Sequence, residues 1–248
     1  MYLVVDRGNT RLKLALFKQD ELLDLSILDT VAPDAFESAL DELELRHLQG
    51  SVSHGIYSSV TGSDDPFISI LEKHMHALVM SSSCMLPIKN RYGTPSSLGH
   101  DRIAAAVAGK KEFPDNPVLT IDAGTCITYD LVNAEGEYLG GGISPGLALR
   151  FKALHTFTGK LPLVRLDEHV GLIGDSTDSS IRSGVFNGAL AEIGGIIDRY
   201  RLEFPALKII LTGGDANYFD KRLKSDIFAV PNLVLIGLKD ILRYNVEN

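Results

Sequence analysis

An α/β fold built from two similar halves that face each other across a cleft is predicted by three features of the sequence. Apolar residues alternate at strand period near the start of each half, helical spacing follows them, and one strand-turn-strand signature occurs twice. The two copies are Leu3-Val4-Val5-Asp6-Arg7-Gly8-Asn9-Thr10 and Leu119-Thr120-Ile121-Asp122-Ala123-Gly124-Thr125. Each runs from an apolar strand into Asp, one residue, Gly and then hydroxyl or amide side chains. Their aspartates are separated by close to half of the 248 residues, which suggests a duplicated domain. The boundary is expected in the proline-flanked stretch 114–117, giving an N-terminal domain over 1–115 and a C-terminal domain over 116–248.

The elements follow in order. Residues 2–5 form an apolar run that reads as a buried strand. After the turn from Asp6 to Asn9, Leu12, Leu14 and Leu16 alternate with Arg11, Lys13 and Ala15, a half-buried strand pattern. Pro33-Asp34 is a helix start, and Phe36, Leu40 and Leu43 give helical spacing, so a helix is expected over 37–48. Strands are expected at 55–60 and 77–80 with a helix over 66–76 between them. The stretch 88–100 is rich in loop formers and too long to be a passive connection. It leads into a helix over 101–112, stopped by Phe113-Pro114. A strand at 118–121 opens the second half, followed by a hairpin through 127–131, a turn at 133–136 and a strand at 137–140. Gly140-Gly141-Gly142-Ile143-Ser144-Pro145-Gly146 then precedes a helix over 147–157, its glycines implying tight turns or close backbone approach. A long helix over 180–204 presents Ile181, Val185, Ala189, Ile193, Ile196 and Tyr200 on one face. Gly184, Gly188, Gly194 and Gly195 each cost a helix about 1 kcal/mol relative to Ala, so close packing is expected along it. An apolar strand at 208–211 ends in Thr212-Gly213-Gly214, which reads equally as a turn packed against a nucleotide base and as a plain strand-end turn.

Composition excludes several classes. Hydrophobic residues at 45% and charged residues at 23% are ordinary for a globular chain, and roughly 70% of the unfolded surface of such a length is buried on folding. The formal net charge of −8 disfavours nucleic acid as a partner. Cys84 and Cys126 lie far apart with no Cys-x-x-Cys pair, so neither a zinc site nor a disulfide framework is expected and a reducing cytoplasm fits. Apolar runs of about six residues, such as 103–108, are far too short for a membrane span. The P-loop signature is absent, because Gly159-Lys160 is followed by Leu161 and lacks the first glycine. His74-x-His76 has neither the spacing nor the third ligand of a metal site.

The chemistry concentrates in a few places. In Asp-x-Gly at a strand end, the glycine admits a phosphate close to the backbone and the carboxylate holds a cation-bound water. One copy reads more readily as an ordinary hairpin turn; two copies in register weigh toward a pair of phosphate turns. Lys13 is a solvated strand residue or a phosphate counter-charge, and spacing leaves both open. Gly99-His100-Asp101-Arg102 lies where the long loop meets a helix. Asp101 there is either a helix N-cap or a carboxylate that accepts a proton from an attacking hydroxyl, with Arg102 holding an anionic or hydroxylated substrate.

Taken together, Asp6-x-Gly8-Asn9-Thr10-x-x-Lys13, Tyr92, Gly99-x-Asp101-Arg102, Asp122-x-Gly124-Thr125, the run Gly140 to Gly146, Thr177 within Gly174-Asp175-Ser176-Thr177, and Thr212-Gly213-Gly214 resemble, in order and spacing, the type III pantothenate kinases of the acetate and sugar kinase/Hsp70/actin superfold. The resemblance implies two duplicated ribonuclease H-like domains around a nucleotide cleft. It also implies ATP-dependent phosphorylation of pantothenate to 4′-phosphopantothenate, the first step of coenzyme A biosynthesis. Asp6, Arg7, Gly8, Asn9, Thr10, Arg11, Leu12, Lys13 and Thr125 would then contact ATP, and Asp101 would be the catalytic proton acceptor. Asp122 would bind a monovalent cation, potassium or ammonium, alongside Mg²⁺. Tyr92, Gly99, His100, Asp101, Arg102 and Thr177 would line the pantothenate pocket, in a cytoplasmic homodimer with no nucleic acid or membrane partner. Cys126 and Arg7 depart from the residues usual at their positions. A sugar or acetate kinase and a non-catalytic regulator of the same fold are the competing readings; the short chain opposes the first, and the joint presence of Asp6, Asp101 and Asp122 opposes the second.

Overall fold

A computed structural model describes residues 1–8, 11–29, 32–46, 52–59, 65–167, 170–223 and 226–248. The chain divides into two compact units, Met1–Ala108 with Leu233–Asn248, and Gly109–Asn232. The first holds β1 (Tyr2–Arg7), β2 (Leu12–Lys18), β3 (Glu21–Leu28), α1 (Pro33–Arg46), β4 (His54–Ser59), α2 (Pro66–His74), β5 (His76–Val79), the two-residue β6 (Lys89–Asn90) and most of α3 (His100–Glu112). The second holds β7 (Val118–Ala123), β8 (Cys126–Val132), β9 (Glu137–Pro145), α4 (Leu147–Phe157), α5 (Thr177–Glu203), β10 (Lys208–Thr212), α6 (Ala216–Asp220) and β11 (Phe228–Ala229). Helix α7 (Leu233–Glu247) closes the chain.

The strand orders expose the duplication. In the first unit the order is β3-β2-β1-β4-β5, with β1 antiparallel to β2 and parallel to β4. In the second, β9-β8-β7-β10-β11 repeats it, with β7 antiparallel to β8 and parallel to β10. Each sheet is thus an antiparallel meander of three strands extended by parallel strands, and the two Asp-x-Gly signatures end equivalent central strands, β1 and β7. This is the duplicated α/β architecture that the sequence predicts.

Each unit has its own core. In the first, Leu3 and Val5 of β1 join Leu12, Leu14 and Leu16 of β2 against Phe36 and Leu40 of α1 and Phe67 and Leu71 of α2. Val4, between Leu3 and Val5, is also fully buried, as the two-residue period of a strand covered on both faces requires. In the second, Leu119, Ile121 and Ala123 of β7 pack with Phe151 of α4, Ile193 of α5 and Phe219 of α6.

Three expectations differ from what is observed. The C-terminal stretch 233–248, assigned by sequence to the second domain, groups with the first unit: α7 packs on β1 and β4, and its Lys239 ammonium pairs with Asp20 at 2.5 Å. Strand β9 runs on through Gly140 to Pro145, past its expected end at 140, and Gly141 shows the close approach expected of these glycines, since a Cβ there would run into the Tyr129 carbonyl oxygen. On α5, a Cβ at Gly184, Gly188, Gly194 or Gly195 would meet no atom within 4 Å, so the close packing expected there is not supplied by the described residues. The ends of two expected elements, Leu48 and Val60, lie outside the described residues.

Candidate functional site

In the first unit the chemistry gathers where the carboxyl ends of β1 and β4 meet the start of α3. Asp6 is the penultimate residue of β1 and lies directly opposite Lys13 on β2. The Gly8 N–H donates to the Arg11 carbonyl at 2.9 Å, closing the turn between the strands. Burial pushes the Asp6 carboxyl up to about 6; Lys13 pulls it down, and the negative charge of Asp101 pushes it up further. Asp6 therefore senses both Lys13 and Asp101 electrostatically. Asn9 and Thr10, expected at this turn, lie outside the described residues.

Helix α3 begins at His100, so Asp101 stands in its first turn and is not the N-cap. One carboxylate oxygen, Oδ1, accepts the backbone N–H of Arg102 at 2.9 Å. Burial lowers the His100 pKa against the opposing effects of Asp101 and the Ser59 backbone, which keeps the ring neutral at pH 7 beside the carboxylate. Arg102 is only 6% exposed, and its guanidinium carbon lies 5.7 Å from the centre of the Tyr92 ring. The structure thus brings Asp6, Lys13, Tyr92, Gly99, His100, Asp101 and Arg102 into one unit.

Arg7, Arg11 and Leu12 use their side chains elsewhere. Arg7 donates to the Asp65 carboxylate, which also accepts the Tyr57 hydroxyl, and its guanidinium stacks over Phe67 at 5.1 Å. Asp65 caps α2 through Phe67 N. Arg11 pairs with Asp29 at 2.8 Å, and Leu12 is wholly buried in the core. Arg7 and Leu12 therefore leave only their backbone to face a phosphate, whereas the Arg11 side chain is exposed in a surface ion pair. The Arg7–Tyr57–Asp65 cluster has no local sequence signal, because its members come from three separate elements.

The second unit carries the matching turn. Asp122 is the penultimate residue of β7; beyond it the Gly124 N–H donates to the Cys126 carbonyl at 2.9 Å, and Thr125 stands exposed at the tip. Two other strand ends support this turn. From β9, the Gly146 N–H donates to the Thr125 carbonyl at 3.0 Å. From β10, Gly213 adopts φ +98° and lies so close that a Cβ would run into the Ala123 carbonyl and Asp122 Oδ1, while Asp215 N donates to the Ala123 carbonyl at 2.9 Å. Cys126 is partly exposed beside the turn, not buried.

Next to Gly213-Gly214 lies a cavity of about 430 Å³, walled by Phe151, Leu166 and Tyr218 and reached by Asp215, Lys152 and Arg165. Burial raises the Asp215 pKa. The sequence signal for Asp215 is its place directly after a strand-ending Gly-Gly, which the motifs above do not include. Thr177 is the first residue of α5, after the Ser176 N-cap, and is exposed in a groove with Arg150 and Phe157.

Among the described residues no cluster of three or more His, Cys, Asp and Glu side chains is assembled for a metal ion. The acidic oxygens of Asp6 and of Asp122 nonetheless suit hard cations whose remaining ligands are phosphate oxygens and water, the usual manner of Mg²⁺ in phosphoryl transfer. No helix among these residues is long and apolar enough to cross a membrane.

Comparison with known proteins adds the family. Residues 2–199 match the family model of type III pantothenate kinase. The chain is 45% identical to the type III pantothenate kinase of Christiangramia forsetii over 99% of both chains, and 42% identical to that of Bacteroides fragilis over 99% of this chain and 98% of the relative. Among solved structures it is similar in fold to a conserved putative Baf family transcriptional activator from Campylobacter jejuni, with a TM-score of 0.64 and 21% identity over 99% of this chain and all of that one. A ROK family glucokinase from Streptomyces griseus, solved with glucose and AMPPNP, gives a TM-score of 0.53 at 11% identity over 98% of this chain and 99% of the other. The fold is that of the actin-like sugar kinases, and the chain belongs to the type III pantothenate kinase family.

Proposed function

We propose that this chain transfers the γ-phosphoryl group of ATP to the hydroxyl of pantothenate, giving 4′-phosphopantothenate and ADP in the first step of coenzyme A biosynthesis. The observation that carries the reading is the grouping of Asp6, Lys13, Asp101 and Arg102 in one unit of a chain belonging to this family. The pantothenate hydroxyl oxygen forms a bond to the γ-phosphorus as the bond to the β-phosphate oxygen breaks, and Asp101 takes the hydroxyl proton. Positioning and charge neutralisation do most of the work in such a transfer.

The backbone from Asp6 to Lys13 would surround the phosphates, with the Lys13 ammonium as counter-charge, and Thr125 would contact ATP. Mg²⁺, when bound next to Asp6, would supply further neutralisation of phosphate charge. Asp122 would hold a monovalent cation, potassium or ammonium. The cavity beside Gly213-Gly214 suits a purine, because Phe151, Leu166 and Tyr218 offer apolar walls and Asp215 a polar contact for its edge. Tyr92, Gly99, His100 and Arg102 would bind pantothenate, Arg102 through its carboxylate. Thr177 would complete that pocket in a cytoplasmic homodimer, for which the exposed Phe157, Leu172 and Ile173 offer apolar surface.

The test is ADP release by the purified protein with ATP, Mg²⁺ and pantothenate, in potassium and then in sodium. Pantothenate-dependent turnover stimulated by potassium is expected. Asp101→Asn should lower kcat at least about 100-fold with an unchanged melting temperature. Wild-type-like turnover in that variant removes Asp101 from the chemistry, and no turnover in either salt removes pantothenate as the acceptor.

A further inference from the structure

Glu192 sits in the middle of α5, remote in sequence from every motif above. Its carboxylate accepts three hydrogen bonds: from the Ser144 hydroxyl at 2.5 Å and the Tyr129 hydroxyl at 3.1 Å on Oε1, and from Arg150 Nη2 at 2.5 Å on Oε2. Arg150 is held in turn, donating through Nε to the Pro145 carbonyl at 2.7 Å and through Nη2 to Ser144 Oγ at 3.1 Å. Both side chains are partly buried, at 29% and 21% exposure. Burial pushes the Glu192 pKa up, but the Arg150 and Ser144 hydrogen bonds outweigh it and leave the pKa lowered, so the carboxylate is ionised throughout the working range.

The network ends at the second Asp-x-Gly turn. Ser144 and Pro145 pair with Ile127 and Cys126 at the start of β8, immediately after Thr125. The next residue, Gly146, donates to the Thr125 carbonyl and lies flat on the turn, since a Cβ there would collide with the carbonyl oxygens of Gly124 and Thr125. A shift of the 144–146 segment therefore moves the Gly124–Thr125 backbone directly. Four polar side chains that an apolar cluster could replace for stability alone are tied to one of the two strand ends that brace this turn.

We propose that Glu192 is a positioning residue for nucleotide binding: through Arg150 and Ser144 it fixes the Ser144–Gly146 segment, and through that segment the Gly124–Thr125 turn. This rests on the reading that the turn contacts ATP. Small errors of placement at such a turn are costly, because phosphate-binding donors must be aimed before the ligand arrives.

The experiment compares wild type, Glu192→Gln, Glu192→Ala and Tyr129→Phe by calorimetric binding of ADP with Mg²⁺, by KM for ATP and for pantothenate, and by melting temperature. Glu192→Ala should weaken ADP binding and raise the KM for ATP about tenfold, with the KM for pantothenate within about twofold of wild type. Glu192→Gln keeps an acceptor for both hydroxyls and should recover part of the loss; Tyr129→Phe, which removes one donor and leaves the ring in the core, should shift ADP binding in the same direction by about twofold. A Glu192→Ala protein that melts lower but binds ADP as wild type does overturns the proposal, as does an equal rise of both KM values. ADP binding without pantothenate turnover in the wild type would sink the proposed reaction but leave the binding comparison valid. A wild type that binds no nucleotide overturns both.

Discussion

Replacing Asp6 by Asn isolates the electrostatic cost of the carboxylate that ends β1. Burial, partly offset by Lys13 and reinforced by Asp101, raises its pKa from 3.8 to about 6 in the folded protein. The unfolded chain releases this proton near pH 4, whereas the native state keeps it to about pH 6, so the native state binds more protons in that window. Its contribution is fully present below about pH 4 and is lost as pH rises through about 6. The whole loss amounts to at most about 3 kcal/mol. Asn is neutral at every pH and escapes it. Asp6→Asn should therefore stabilise the first unit by up to about 3 kcal/mol at pH 8, and by only about 0.5 kcal/mol at pH 4. Native-state hydrogen exchange of the β1 and β4 amides in urea at both pH values measures the gain, and a turnover assay should show activity lost in the more stable protein. A variant no more stable than wild type at pH 8, or equally stabilised at both pH values, refutes the claim that Asp6 is held ionised at a cost before ligands bind.

Three further outcomes are expected. Arg7→Ala strands the Asp65 carboxylate, whose side chain is 2% exposed, and should destabilise the first unit by about 3 kcal/mol in a thermal melt while changing the KM for ATP less than about threefold; a larger KM effect would return the Arg7 side chain to the phosphate turn. Gly213→Ala should cost roughly 1–3 kcal/mol in denaturant unfolding and weaken ADP binding, since a Cβ fits neither φ +98° nor the space beside Ala123; unchanged binding would separate this turn from the nucleotide. Phe157, 87% exposed, is expected to seat on a second copy, so Phe157→Asp should weaken self-association about 30-fold by analytical ultracentrifugation; an unaltered sedimentation profile would move the dimer contact elsewhere.

What the sequence by itself determined is the local and the repeated. Strand period at Leu12, Leu14 and Leu16, helical spacing at Phe36, Leu40 and Leu43, and the twin Asp-x-Gly turns are written in short windows, because backbone conformation and one-sided burial are local demands. The motif order identified the family before any coordinate was needed. The tertiary structure decided everything that depends on which distant elements meet. Helix α7 carries no chemistry in its sequence, and only its packing on β1 and β4 assigns it to the first unit. Arg7 sits inside the first Asp-x-Gly signature, yet Asp65 and Tyr57, brought from other elements, take its side chain away from the turn. Asp101 has the spacing of a cap, and the actual start of α3 at His100 frees it from that role. Glu192 looks in sequence like one more solvated acid on a helix, and becomes the hub of a network only because β8, β9 and α4 place Tyr129, Ser144 and Arg150 around it. Hydrogen-bond geometry and desolvation act over a few ångströms in space, and residues far apart in the chain reach that range only when the sheets have formed.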